Sequence, residues 1–315
     1  MLKKVFKLFL FIIIGFAFSA NSQSSSTAPA TGARADTASV NALLQKSKEQ
    51  AAENPANAIN LARQAKDLAD KINFPTGQAY ALKNIGLGYY NQGKYVEALD
   101  YWNQSLEVFE KLHDDIGVAN LLNNMAAIYA ERGDDEKGLE YSLRSLKLSE
   151  NSGNKLRILS ALNTIGTIYY NKKAVWEKAK ALNYFLQALP LCEAIGNKVA
   201  FGTISENIGE IYLEKGKADS LEKGKTDSAL IYFKQSLKAM GDVSNSAFAY
   251  NGIGKVYLRQ GNIKEALNYH EKALEIAERL NSPPNTIRSL RGIATVYDST
   301  HDFKNALKLD RKSVV

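Results

Sequence analysis

A small residue followed three positions later by tyrosine recurs six times in this 315-residue chain: Gly86/Tyr89, Ala126/Tyr129, Gly166/Tyr169, Gly209/Tyr212, Gly254/Tyr257 and Ala294/Tyr297. The steps between successive pairs are 40, 40, 43, 45 and 40 residues. A second small residue follows in each copy, at Ala98, Gly138, Ala181, Ala229, Ala266 and Ala306. Three positions beyond it stands Tyr101, Tyr141, Tyr184, Tyr232 or Tyr269 in five of the six copies, and seven beyond it Ser105, Ser145, Ala188, Ser236, Ala273 or Ser313. A period of this length belongs to stacked supersecondary units, each covering the apolar face of its neighbour.

Each unit reads as two helices. The first, such as GQAYALKNIGLGYYNQ, has apolar residues at helical spacing and stops at Gly93; Gly133, Gly216 and Gly261 take the same place elsewhere. The second, such as KYVEALDYWNQSLEVFEKL, carries the alanine, tyrosine and small-residue markers on one face. A helix without bulk at those points lets its neighbour approach at the short end of interaxial distances. The tyrosine rings are expected to fill the space between successive hairpins.

These markers resemble the tetratricopeptide repeat (TPR), in the forty-residue form of kinesin light chain and of exported bacterial sensory modules. The resemblance covers 40–315 and implies an all-α, right-handed superhelix of stacked antiparallel helix pairs. About seven units are expected, near 40–75, 76–115, 116–155, 156–198, 199–243, 244–283 and 284–315, the last incomplete. The earliest is weaker: Ala58 and Ala65 lie 40 residues before Ala98 and Ser105, but Lys46 and Glu49 replace glycine and tyrosine.

The N-terminus, MLKKVFKLFLFIIIGFAFSANSQ, has a basic start, an apolar stretch from Leu8 to Phe18 and a small-residue exit. Eleven residues make about 16 Å of helix, short of a bilayer core. Residues 1–20 are therefore expected to be a secretory signal, with no stable membrane insertion after cleavage. That places the protein in the periplasm or at the surface of a Gram-negative bacterium. Residues 21–39, small and polar, are expected to be a flexible linker. Removing Lys3, Lys4 and Lys7 from the formal charge of +7 leaves +4, too weak over so long a chain to indicate nucleic acid. The single cysteine, Cys192, allows no internal disulfide and reads as a buried small hydrophobe.

No catalytic constellation, metal or cofactor site is expected. His113 and His301 fall in turns and His270 in a second helix, and none belongs to a ligand or acid–base set. Gly224-Lys225-Thr226 looks like the end of a P-loop. However, EKGKADSL (214–221) and EKGKTDSA (222–229) are near-copies, Asp219 stands where a P-loop needs glycine, and no strand precedes it. The segment reads as a duplicated inter-helix turn. Asp134-Asp135-Glu136 suits a helix start. Pro190 should kink or break the second helix that contains it, and Pro283-Pro284 should end a helix between units.

In the TPR family the first helices line an inner wall that holds extended or helical peptides. Positions six, three, two and one before the small residue, and one, four and five after it, face that wall by resemblance. They supply Tyr80, Lys83, Asn84, Tyr90, Asn91, Asn120, Asn123, Asn124, Asn163, Tyr170 and Asn171, then Glu206, Asn207, Asn251, Arg259, Arg288 and Arg291. Asparagine amides donate and accept together, which suits a peptide backbone. Asn84, Asn124 and Asn207 match the family's backbone-binding position, whereas Thr164, Gly252 and Gly292 interrupt it. The expected function is an exported scaffold that binds a peptide or protein segment without catalysis. Two alternatives stay open: the sensory front half of a receptor of histidine kinase or nucleotide cyclase type, and a scaffold that self-associates through its last hairpin.

Overall fold

The computed structural model describes residues 31–172, 175–215, 222–241 and 246–314. The expected signal (1–20), residues 21–30 of the linker and Gly216 lie outside them. The described residues form helices without strands: α1 (Thr31–Gln50), α2 (Pro55–Lys71), α3 (Pro75–Asn91), α4 (Tyr95–Lys111), α5 (Asp115–Arg132), α6 (Asp135–Asn151), α7 (Lys155–Asn171), α8 (Val175–Ala194), α9 (Lys198–Lys215), α10 (Glu222–Met240), α11 (Ser246–Arg259), α12 (Ile263–Arg279), α13 (Pro283–Ser299) and α14 (Phe303–Val314). The all-α architecture of paired helices is as the repeat implies. The chain forms two compact units, one ending at Ile165 and the other starting at Gly166 within α7. In the first, α1 to α6 pack each on the next and α1 also lies against α3; in the second, α8 to α14 pack likewise and α11 lies against both α9 and α13.

Local signals set the ends of these helices. Gly93, Gly133 and Gly261 turn the chain within hairpins at φ of 74°, 83° and 74°, the left-handed region where a Cβ is unfavourable. Several helix starts are capped by Asx side chains, although those of α3, α4 and α13 are not. Asp114 Oδ1 accepts from Gly117 N at 2.8 Å, and Asp134 Oδ1 from Lys137 N at 3.2 Å. Each such cap is worth about 1 kcal/mol. Pro283 begins α13 instead of ending α12, because its missing N–H removes one of the donors that a first turn leaves unpaired anyway.

The small residues exist for aromatic rings. A Cβ on Gly86 would stand 2.3 Å from Trp102 Cδ1, one on Gly166 2.7 Å from Phe185, and one on Gly209 2.9 Å from Phe233. Trp102, Phe185 and Phe233 are fully buried, each contributing about 1.5–3 kcal/mol of transfer free energy. Phe233 also meets Gly252 of the following hairpin, and His270 sits between Gly254 of its own and Gly292 of the next. Where Ala126 replaces glycine, Ser142 takes the position of the ring. Gly252 and Gly292, which interrupt the asparagine row, are thus hollows for the preceding ring.

Three expectations need correction; that of the tyrosines needs only an addition. The tyrosines pair inside hairpins, Tyr89 stacking on Tyr101 at 5.4 Å, Tyr169 on Tyr184 at 5.8 Å, Tyr212 on Tyr232 at 5.7 Å and Tyr257 on Tyr269 at 5.3 Å, and the first pair also packs against Ile59 and Ala62 of the preceding hairpin, filling the space between the two. The two markers face each other because helices of one hairpin meet there at matching heights. Thr31 to Ser39, expected in the linker, belong to α1, whose buried Val40 anchors a run with no breaker after Gly32. The second copy of the duplicated octapeptide, 222–229, opens α10; it lengthens a helix where a turn was expected. Pro190 does not break α8, which continues to Ala194. Pro190 and Leu186 both lie on the exposed side, so water can take the carbonyl that the missing N–H leaves.

Candidate functional site

Side chains from successive first helices meet on the face that those helices leave uncovered. In the first unit, Asn84 is buried and its Nδ2 donates to the Leu44 carbonyl of α1 at 3.0 Å. Asn91 Nδ2 donates likewise to the Ala51 carbonyl, in the turn just after α1. Tyr90 crosses the other way: its hydroxyl donates to Glu131 Oε1 at 2.8 Å. Burial and the Glu131 charge hold that phenol above its ordinary range. These bonds join neighbouring repeats at a spacing of 40 or 41 residues.

Tyr80 lies edge-on to Phe109 with centroids 5.1 Å apart, and Lys83 Nζ sits 5.0 Å above the Tyr80 ring. Asn120, its amide oxygen turned to Arg157, accepts from the guanidinium at 2.8 Å. Asn124 and Asn163 are buried beside it in the row and Asn123 is half-buried. The Oδ1 atoms of Asn91 and Asn123 are buried acceptors without a hydrogen bond, as is the Arg157 Nε donor. Burial, then the charges of Arg157 and Lys48, pull the Lys83 ammonium down to about 7, against a weaker opposing pull from Asp114.

The second unit is arranged differently. Glu206, on α9, is fully buried; Ser236 Oγ donates to its Oε1 at 3.0 Å and its Oε2 has no partner. Burial raises this carboxyl well above the usual range, although Ser236 and Arg288 pull it down. Burial also pushes Glu210 up, but Lys255, bonded to it at 2.7 Å, together with Arg288 and Arg259, leaves it below the ordinary value. Arg288 lies 4.3 Å above the Phe248 ring, its charge opposite Glu210, Glu206 and Tyr170. Lys178, paired with Glu214, stands 5.4 Å above the Tyr170 ring. Asn207 is half-buried, and Asn171 and Arg291 are exposed.

Asn251 and Arg259 are likewise engaged within the protein. Asn251 is buried in a polar chain, its Nδ2 donating to Ser289 Oγ at 2.8 Å and to the Ala247 carbonyl at 3.0 Å, and its Oδ1 2.7 Å from His270 Nδ1. It therefore belongs to the packing between α11, α12 and α13. Arg259 donates to the Leu213 carbonyl of α9. Lys48 and Arg157, not singled out in the sequence, join the first cluster because they lie outside the seven wall positions that the repeat register supplies. Glu210 and Lys255 do occupy a wall position, one after Gly209 and Gly254, and their opposite charges were the readable signal.

Among the described residues no group of His, Cys, Asp and Glu could hold a metal ion, and no helix is long and apolar enough to cross a membrane. Cys192 is 1% exposed, and burial raises its thiol to about 12, far from a nucleophile's range.

Family models described as tetratricopeptide repeat match residues 79–112, 117–193 and 245–314, more than half of the chain. The chain belongs to the tetratricopeptide repeat superfamily. Among curated proteins it is similar to outer dynein arm-docking complex subunit 4 of Danio rerio, 28% identical over 104 residues, which are 30% of this chain and 21% of that protein. It is 29% identical over 80 residues to tetratricopeptide repeat protein 29 of Trypanosoma brucei brucei, covering 24% of this chain and 17% of that one. The chain thus spans about a fifth of the length of these curated relatives.

Among solved structures, a STAND signal-transduction ATPase with a TPR sensor from Pyrococcus horikoshii has a TM-score of 0.64 at 16% identity, over 90% of this chain and 46% of that one. RapI in its apo form gives 0.63 at 15%, over 87% and 96%. The quorum sensor NprR, in complex with its cognate peptide NprX, gives 0.55 at 15%, over 89% and 78%. These likenesses establish the fold.

Proposed function

We propose that the chain is a non-catalytic binding module that holds a peptide or protein segment on the polar face of its first helices. What carries the reading is the set of buried acceptors at Asn91 Oδ1 and Asn123 Oδ1, which lack donors on a face where polar side chains recur from hairpin to hairpin. A buried amide oxygen without a donor costs about 1–3 kcal/mol, and peptide N–H groups are what would meet it. Asn84, by contrast, keeps its carbonyl free while its amide nitrogen holds α1. The peptide held by NprR and the Competence and Sporulation Factor held by a Rap protein belong to proteins of this fold and support the same use. Export, resting on the basic and apolar N-terminus, is part of the proposal; the mass of the mature protein recovered from a periplasmic fraction tests it.

Binding is tested by panning the purified chain against a random peptide display library, then repeating it with Asn91→Ala/Asn123→Ala. Enriched peptides should lose affinity by about tenfold or more in the double variant at unchanged helicity, the scale of removing one or two hydrogen bonds. Equal affinity for both proteins, or no enrichment, refutes the reading.

A further inference from the structure

A hydrogen-bonded chain crosses the joint between the α11–α12 hairpin and α13, and its direction is fixed along its length. Ser289 Oγ spends its proton on the Asn285 carbonyl at 2.9 Å, so towards Asn251 Nδ2, 2.8 Å away, it can only accept. Asn251 Nδ2 also donates to the Ala247 carbonyl, which leaves Asn251 Oδ1 to accept from His270 Nδ1 at 2.7 Å. His270 therefore carries its proton on Nδ1, and Nε2 keeps a lone pair. That nitrogen faces the α11 backbone: a Cβ on Gly254 would stand 2.8 Å from Nε2, while Gly292 of α13 closes over Nδ1 and Cε1. Inside a helix the backbone groups beside Gly254 are spent on one another. Among the described residues no hydrogen bond reaches Nε2, and the ring is 1% exposed. A second proton can go only to Nε2, where it would lack both an acceptor and water. Nearby charges do not help it. Lys255 on α11 opposes it and is itself held by Glu210 at 2.7 Å. On α12 the flanking Glu271 and Lys272 are exposed, and α13 turns Ser289 and Gly292 to the ring, with Arg288 over Phe248 and Arg291 exposed.

We infer that His270 is an acid-operated latch, whose protonation opens the joint between the α11–α12 hairpin and α13 while the preceding joint stays closed. In the open joint the ring reaches water and takes up a proton; in the closed one it has no place for it. Burial, and after it the Lys255 charge, pull the closed ring's pKa to about 4, against about 6.5 in water. The joint is therefore fully closed above about pH 6.5 and loosens as the pH falls towards 4. The preceding joint holds because its ring is Phe233, set against Gly209 and Gly252 among Phe248, Ile253 and Val256, none of which titrates. The latch works without a ligand, so it can be tested apart from binding.

The test is hydrogen exchange of the full chain, read by mass spectrometry at pH 7 and pH 5 and corrected for the intrinsic effect of pH. Peptides from α13 should exchange roughly 20-fold faster at pH 5, the change in opening that the two proton affinities give. Peptides from α9 and α10 should change by less than about threefold, since a joint opens locally at lower cost than the whole unit. His270→Phe supplies the kind of ring that fills the preceding joint and should abolish the change in α13. Should that variant already loosen α13 at pH 7, His270→Gln replaces it: its amide can donate to Asn251 and does not titrate, so the same flat response is expected. Loss of protection in α9 and α10 equal to that in α13, no change in α13, or a change that persists in the non-titrating variant overturns the latch.

Discussion

Replacing Gly86 by alanine tests the ring-and-hollow packing most directly, because local propensity and packing pull in opposite directions. In a helix interior, glycine to alanine stabilises by roughly 0.5–1 kcal/mol through backbone entropy. Here the new Cβ would lie 2.3 Å from Trp102 Cδ1 and 2.4 Å from Nε1, with the Ala98 carbonyl at 3.1 Å behind. Trp102 is fully buried and tied by Nε1 to the Lys83 carbonyl at 3.0 Å, so it cannot swing aside freely. Overpacking costs about 1–3 kcal/mol, and a strained indole hydrogen bond about 1 kcal/mol more. Gly86→Ala should therefore lose about 1–3 kcal/mol net, a fall in Tm of roughly 2–6 °C. In a Trp102→Ala background the clash partner is gone, and the same alanine should be neutral or stabilising by up to about 1 kcal/mol. The assay is urea unfolding by circular dichroism for all four members of the cycle. Equal destabilisation in both backgrounds would refute the packing argument.

Other expectations concern buried polar groups and the proline. His270 is held neutral by burial, its pKa pulled to about 4. The unfolded chain binds a proton there below about 6.5 while the native one does not, so stability is full above that pH and falls until about pH 4, by roughly 3 kcal/mol. His270→Phe should flatten this slope in urea midpoints between pH 7 and 4. Glu206→Gln should raise the urea midpoint at pH 7, because burial disfavours the charged carboxylate that the unfolded chain carries and glutamine has no charge to lose. The gain should vanish as the pH is lowered below the ordinary carboxylate range. Pro190→Ala should raise Tm, by about 1–3 kcal/mol of stability, since α8 is already continuous and regains a hydrogen bond to Leu186.

The sequence was most informative where one residue's size dictates a neighbour's. Gly86, Gly166 and Gly209 mark close approaches, and their spacing makes helix pairs legible without coordinates. The direction of the tyrosines was less so: periodicity places Tyr89 and Tyr101 at matching heights but does not say whether partners come from one hairpin or two. Pro190 misled because its effect depends on whether the Leu186 carbonyl faces solvent, a tertiary property. The wall positions found Lys83, Asn123 and Glu206, since family register fixes their face. They missed Arg157 because a long side chain reaches a site from a turn away, and they overstated Asn251, whose hydrogen bonds are filled by His270 and Ser289 from other helices.

Phe233 and His270, each lodged against a glycine of its own hairpin and another of the next, bear on how such a chain can have grown. A copied hairpin inserted after either ring would face a neighbour without the second glycine wherever Asn124, Thr164 or Asn207 holds that place. Reordering the copies should therefore disturb folding even though every copy keeps its own marker residues.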